Sequence, residues 1–184
     1  MTAYPRSRIC VYAVVTTVAL ACDLVSKSTV FSKLGGVFQR SGWLIDTWLK
    51  FEFHTSLNRG ALWGMGQGMA PVFAMLSIAA MIGINYWLFF RRAARSLWLT
   101  TALSLVSGGA LGNLYDRLGL HGVSFPGETS PALAVRDFLH FQFGSFDYPI
   151  FNIADSFLVA GAIMLMIQSM KEEAPVESLN PNEP

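Results

Sequence analysis

The sequence predicts an all-α membrane protein of four transmembrane helices, with a small β-rich segment between helices 1 and 2. Three observations lead there. Of 184 residues, 53% are hydrophobic and only 14% charged, whereas soluble domains carry about 25% charged residues. Four apolar runs each approach the roughly 20 residues that a spanning helix needs. Between the first two runs, WLIDTWLKFEFHTSL alternates apolar and polar residues from Leu49 to Phe53, the period of a strand with one wet face. Its Trp and Phe also suit a membrane interface without regular structure. Length allows a single domain, residues 1–171.

The first span, about 9–31, is acceptable only if Asp23 and Lys27 are tolerated near one end. They stand at i and i+4, one helical face, as an intrahelical ion pair or as a brace for a nearby site. Cys10 and Cys22 fall in the same helix. Twelve residues at about 1.5 Å each hold them roughly 18 Å apart, too far for a disulfide. The second span, about 72–90, carries no charge. The third, about 97–115, carries Gly108, Gly109 and Gly112. The fourth, about 150–170, has Asp155 as its only charge. The acidic, Pro-containing end, 172–184, reads as a disordered tail.

Arg6 and Arg8 precede the first span, Arg91, Arg92 and Arg95 fill the short turn between the second and third, and Lys171 follows the fourth. The positive-inside rule puts those places, and both termini, in the cytoplasm. The longer segments 32–71 and 116–149 are then outside. They too hold Lys and Arg, but long segments translocate largely regardless of charge.

With this topology the polar residues collect at one depth. Asp23 and Lys27, Asn58 and Gly60, Asn113, Asp116 and Arg117, and Asn152 and Asp155 all fall near the outer leaflet, with Asp137 just upstream. The inner halves of the spans are almost bare. Ionisable groups so placed suggest a functional site. A net charge of +1 offers no field for nucleic acid. No HExxH, paired-cysteine or GxSxG motif is present, which disfavours zinc and serine chemistry. His54, His121 and His140 read as scattered surface or interfacial residues. Asp46 and Asp147 read as plain surface. Carboxylates remain. Two aspartates held together share a proton, so that one activates water and the other protonates the substrate. Asp137 and Asp155, 18 residues apart across a loop, are the preferred pair. Asp116 is the rival, with a helix cap or ion pair as its alternative role. Asn152, three residues before Asp155, is either a helix N-cap or a donor at the site.

In order along the chain stand DLVSK at 23–27, NRGALWG at 58–64, GGALGNLYDR at 108–117, VRDF at 135–138 and FNIADS at 151–156. Together these blocks resemble the lipoprotein signal peptidase family, also called signal peptidase II. The resemblance implies an aspartyl endopeptidase of the bacterial inner membrane, with a site near the outer leaflet and the β-rich segment in the periplasm. It would remove signal peptides from diacylglyceryl-modified prolipoproteins, cutting before the lipid-modified cysteine, without metal or cofactor. It implies Asp137 and Asp155 as the catalytic pair. Asn58, Gly60, Gly109, Asn113, Arg117, Asn152 and Ala154 would line or support the substrate site, with Asp23 and Lys27 near it. Expected partners are prolipoproteins and membrane lipids, and a monomer is the simplest assembly. Three features depart from the family pattern: a longer stretch at 118–136 that reads as an inserted loop over the site, Arg136 beside Asp137, and LWG after NRGA.

Three other classes fit parts of the chain. VALAC, ending at Cys22, resembles the processing site of a lipoprotein, but three further spans follow it. A small transporter or proton relay would use the intramembrane aspartates, but needs polar groups through the whole bilayer. An assembly factor would bind through the aromatic outer segment.

Overall fold

The structure is a computed structural model and describes residues 7–60, 66, 68–91, 93, 94 and 96–172. The expected tail beyond Glu172, the LWG stretch, and Arg6, Arg92 and Arg95 lie outside these residues. Among the described residues, four helices are long and apolar enough to cross a membrane: Ser7–Leu34, Ala70–Phe90, Leu97–Arg117 and Ile153–Lys171. Helix α1 is Ser7–Leu34. Helix α2 is Ala70–Asn85, with Pro71 in its first turn, and runs on through a π turn, Tyr86–Phe90. Helix α3, Leu97–Arg117, begins at Ser96, whose side chain accepts the Leu99 amide at 3.2 Å. Helix α4 is Ile153–Glu172.

Helix α3 is the inner helix, packed by α1 on one side and α4 on another. Its glycines permit the approach. A Cβ on Gly108 would sit 2.5 Å from the Ala19 Cβ of α1, and one on Gly109 would sit 2.5 Å from the Ala154 carbonyl oxygen of α4. On Gly112 it would collide with the Asp23 carboxylate. The outward faces carry exposed apolar side chains such as Val14, Met75, Ile82 and Met166, as a lipid-facing surface does. Cys10 and Cys22 are exposed and free.

The halves of the helices away from Asp137 and Asp155, expected to be almost bare, carry several polar groups. Tyr12 donates to Ser107 Oγ at 2.9 Å and accepts from Asn85 Nδ2 at 3.1 Å, and Thr16 donates to the Ser104 carbonyl at 3.2 Å. These groups are uncharged and satisfy one another, as helix–helix hydrogen bonds within a bilayer do.

The expectation of an all-α chain whose β-rich part lies only between helices 1 and 2 needs correction. A four-stranded antiparallel sheet runs in order β1 (Ile45–Asp46), β2 (Leu49–Asn58), β3 (Val135–Phe143), β4 (Phe146–Asp147). Half its strands come from the segment between α3 and α4. The reason is hydrogen bonding: a lone β2 would leave its backbone groups unpaired, and VRDFLHFQF supplies the partner. Glu52 pairs with His140, Ser56 with Asp137 and Asn58 with Val135, across an irregularity between Phe53 and Ser56. Phe31, Leu57, Ala132, Ala134 and Phe138 form a core that seats the sheet on the end of α1.

The close contact of α3 with α4 makes a size-dependent prediction. Gly109→Ala should destabilise the protein by about 1–3 kcal/mol, because backbone must move. Gly83→Ala, with nothing within 4 Å of its added methyl, should be neutral or gain up to about 1 kcal/mol. Thermal unfolding in detergent distinguishes the two.

Candidate active site

Asp155 occupies the third position of α4, where Asn152 and Asp155 form a reciprocal capping box. The Asp155 amide donates to Asn152 Oδ1 at 3.0 Å, and the Asn152 amide donates to Asp155 Oδ2 at 3.2 Å. An aspartate here also meets the positive end of the helix dipole. The cap and site roles of Asn152 are therefore not alternatives. Its side-chain amide donates to Asp137 Oδ1 at 2.6 Å and to Asn113 Oδ1 at 3.2 Å. Asn113 in turn donates to Asp155 Oδ1 at 2.8 Å. On β2, Asn58 donates to Asp137 Oδ2 at 3.0 Å and accepts the Gly60 amide at 2.9 Å. Each carboxylate thus has both oxygens occupied, and Asn152 touches both groups.

The two carboxyls differ in exposure. Asp137 is 2% exposed, whereas Asp155 is half-buried. Burial, and after it the negative charge of Asp155, push the Asp137 carboxyl up to about 7, against the pull of the Asn152 and Asn58 amides. At slightly acid pH the buried member of the pair therefore holds a proton, which it gives up as pH passes about 7.

Behind the pair stands a chain of buried charges. Lys27 Nζ lies 2.8 Å from Asp23, 3.1 Å from Asp116 and 3.0 Å from Asn113 Oδ1. Asp23 Oδ1 accepts the Ala154 amide at 2.9 Å, fixing the first turn of α4. Asp116 accepts the Arg136 amide at 2.9 Å and its guanidinium at 2.9 and 3.1 Å. Arg136 Nη1 reaches Ser28 at 3.2 Å. Two acids and two bases balance. Arg136 and Asp137 are adjacent on a strand and so face opposite ways, which keeps this cation off the pair. Asp116, the rival, has both oxygens committed to cations.

Asp137, Asp155, Asn58, Gly60, Asn113 and Arg117 line one cavity of about 1430 Å³. Arg117 contacts the Gly60 carbonyl at 3.5 Å and lies over the Phe73 ring. Away from the carboxyls the cavity becomes apolar, along Leu76, Ala80, Val106, Leu158 and Ile163. Phe125, Pro126 and Glu128 bring the loop 118–134 to the cavity, where Glu128 pairs with Arg59 at 2.9 Å, while Val135 and Arg136, expected in that loop, belong to β3. Asn152, Asp23, Lys27, Ala154 and Gly109 lie behind the wall as supports. Ser56, opposite Asp137 on β2, also lines the cavity and carried no signal in the sequence. The alternation of 135–143 contained enough to separate Arg136 from Asp137. His140, expected at the surface, is 5% exposed, because its ring packs between Glu52 and Asp147.

Four helices long enough to span a membrane, with a carboxyl pair beside an apolar cleft, give the chain the architecture of a membrane enzyme. Residues 15–171 match the family described as Signal peptidase (SPase) II. The lipoprotein signal peptidase of Rhodopirellula baltica is 42% identical over 171 residues, covering 91% of this chain and 74% of that one. The Bacillus pumilus lipoprotein signal peptidase is 35% identical over 159 residues, covering 86% and 92%. A bacterial membrane enzyme structure obtained in meso at 2.3 Å superposes with a TM-score of 0.71 at 27% identity, covering 90% of this chain and 94% of that one. The chain belongs to the signal peptidase II family of proteases.

The charge chain behind the pair yields a stability prediction. Lys27→Met leaves Asp23 and part of Asp116 uncompensated in a dry interior. Stability should fall by about 3–5 kcal/mol, read by unfolding in detergent. A loss below about 1 kcal/mol would mean the charges are screened or rearranged.

Proposed function

We propose that this chain is an aspartyl endopeptidase that cuts diacylglyceryl-modified prolipoproteins just before the lipid-modified cysteine, with Asp137 and Asp155 as its catalytic pair. The observation that carries the reading is the position of Asn152, which bonds both carboxyls while Asp137 alone is sealed from solvent. Asp155, open to the cleft, takes a proton from a water as that water attacks the scissile carbonyl carbon. Asp137 gives its proton to the carbonyl oxygen. The resulting diol collapses as Asp155 passes its proton to the cysteine nitrogen, which leaves as the new N-terminus, while a diol hydroxyl returns its proton to Asp137. The pair ends as it began, with one proton, and a peptide bond has been exchanged for an acid and an amine. Asn58, Gly60 and Arg117 stand where an extended substrate backbone would need polar partners in place of water.

The apolar part of the cleft supports a substrate that keeps its acyl chains near the bilayer. The pair lies where α3 ends and α4 begins, on the side of the strands and opposite Arg91. With arginines inside, this supports a site near the outer leaflet of the bacterial inner membrane, with cytoplasmic termini. All the residues invoked come from one chain, which supports a monomer acting on prolipoproteins among membrane lipids.

Cleavage of a diacylglyceryl-modified prolipoprotein by purified protein in detergent tests the reading. Asp137→Asn and Asp155→Asn should each lower kcat by at least about 10²–10⁴-fold while remaining folded. For the wild type, a raised carboxyl holds its proton below about pH 7 and loses it as pH climbs through that value. Activity should therefore decline on the alkaline side with an apparent pKa of about 7, belonging to the pair rather than to one residue. Equal activity in either variant would remove that residue from the chemistry. Wild-type cleavage of the unlipidated precursor at the same rate would remove the lipid from recognition.

A further inference from the structure

The face of the sheet turned from its aromatic side carries a second cluster that the peptidase reading does not use. Period two along β2 puts Glu52 and His54 on one face. The antiparallel register sets His140 of β3 directly opposite Glu52. One ligand-type atom from each of the three lies within 4.8 Å of the others. Glu52 and His140 are buried. His54 is half-buried, and its Nδ1 is shut from solvent with no hydrogen-bond partner among the described residues. Trp43 packs on the His140 ring at 5.5 Å between centroids.

The hydrogen bonds of His140 are the informative part. Its Nε2 lies 2.6 Å from Asp147 Oδ1 and its Nδ1 lies 2.8 Å from Glu52 Oε1. A neutral imidazole has one N–H. When Nε2 donates to Asp147, the Nδ1 lone pair faces a carboxylate oxygen, and two acceptors in contact need a cation. A carboxylate behind one imidazole nitrogen, with the other nitrogen turned to a further ligand, is the usual outer-shell arrangement of a metal-bound histidine.

We propose that Glu52, His54 and His140 form a binding site for a divalent transition ion, with zinc the best match to two imidazoles and one carboxylate. The ion clamps β2 to β3 on the face away from the cleft, and Asp147 orients His140 from behind. Arg40, which now bonds Glu52 Oε1 through Nε at 2.8 Å and also through Nη2, is the competitor. Its side chain is 50% exposed and can swing to solvent as the ion arrives. Glu52 and Asp147 outweigh Arg40 by one negative charge, which favours an incoming cation. Lys50, the other base near Trp43, is already paired with Asp46 at 2.8 Å. The ligands stand at 52, 54 and 140, on two strands, which is why no contiguous metal motif is visible in the sequence.

The test uses the full chain in detergent, stripped with a chelator, reloaded with zinc chloride and desalted, with metal measured by mass spectrometry. Cobalt(II) absorption reports the ligand geometry. The site should retain about one zinc per chain. Asp147→Asn, at a residue whose side chain is 71% exposed, should fold normally and bind about 10–100-fold more weakly. His54→Gln should lose stoichiometric binding, and Arg40→Gln should bind as tightly or tighter. A wild type that retains no zinc at micromolar concentrations would overturn the proposal and leave a proton as the shared cation. Equal zinc affinity in wild type and Asp147→Asn or His54→Gln would also overturn it.

Discussion

Lys27 carries a full positive charge to a point with no exposed surface, and its three contacts tie together most of the elements that form the site. Through Asp23 it holds the Ala154 amide and so the start of α4. Through Asp116 it reaches Arg136 and β3. Through Asn113 it orients an amide that bonds Asp155 directly and meets Asn152, the residue bridging both carboxyls. An ammonium has three hydrogens, and each has a partner. Each asparagine is equally committed, so none of the three amides is free to flip.

Such a chain is expensive to bury. Charges in hydrocarbon are disfavoured by several kcal/mol each, and a buried ion pair often contributes less stability than apolar side chains of the same volume. What it contributes is position. An Asn–Asn bridge between two acids can tilt in many ways, and a lysine and a helix cap together leave one. The glycines of α3 serve the same end by bringing α1 and α4 within reach of each other. Beyond the polar cluster the helices revert to neutral contacts among Tyr12, Ser107, Asn85, Thr16 and Ser104, which hold the bundle without adding charge.

Much of this was legible in the sequence because it is local. Asp23 and Lys27 are one turn apart, Asn152 and Asp155 three residues apart, and four apolar runs gave spans close to those observed. The second half of the sheet was missed because strand pairing is a relation between segments about 80 residues apart. VRDFLHFQF carries the alternation, but its partner cannot be read from it. The same non-local pairing buried His140 against Glu52 and turned Arg136 toward Asp116. Period two alone would have placed Arg136 on the opposite face from Asp137, though not against Asp116 and Ser28. The segment after α3 was visible in the sequence as a proline-containing stretch, and its place beside the cleft follows only from the fold.

If the asparagine bridge holds the two carboxyls as one pair, the pair keeps a proton at slightly acid pH and loses it near pH 7. Infrared titration of the purified protein, with aspartate carboxyls isotopically labelled, tests it directly. The wild type should show a protonated-carboxyl band that fades with a midpoint of about 7 and is missing from Asp137→Asn at the same pH. A band that persists unchanged in Asp137→Asn, or no protonated carboxyl at slightly acid pH, would contradict the account.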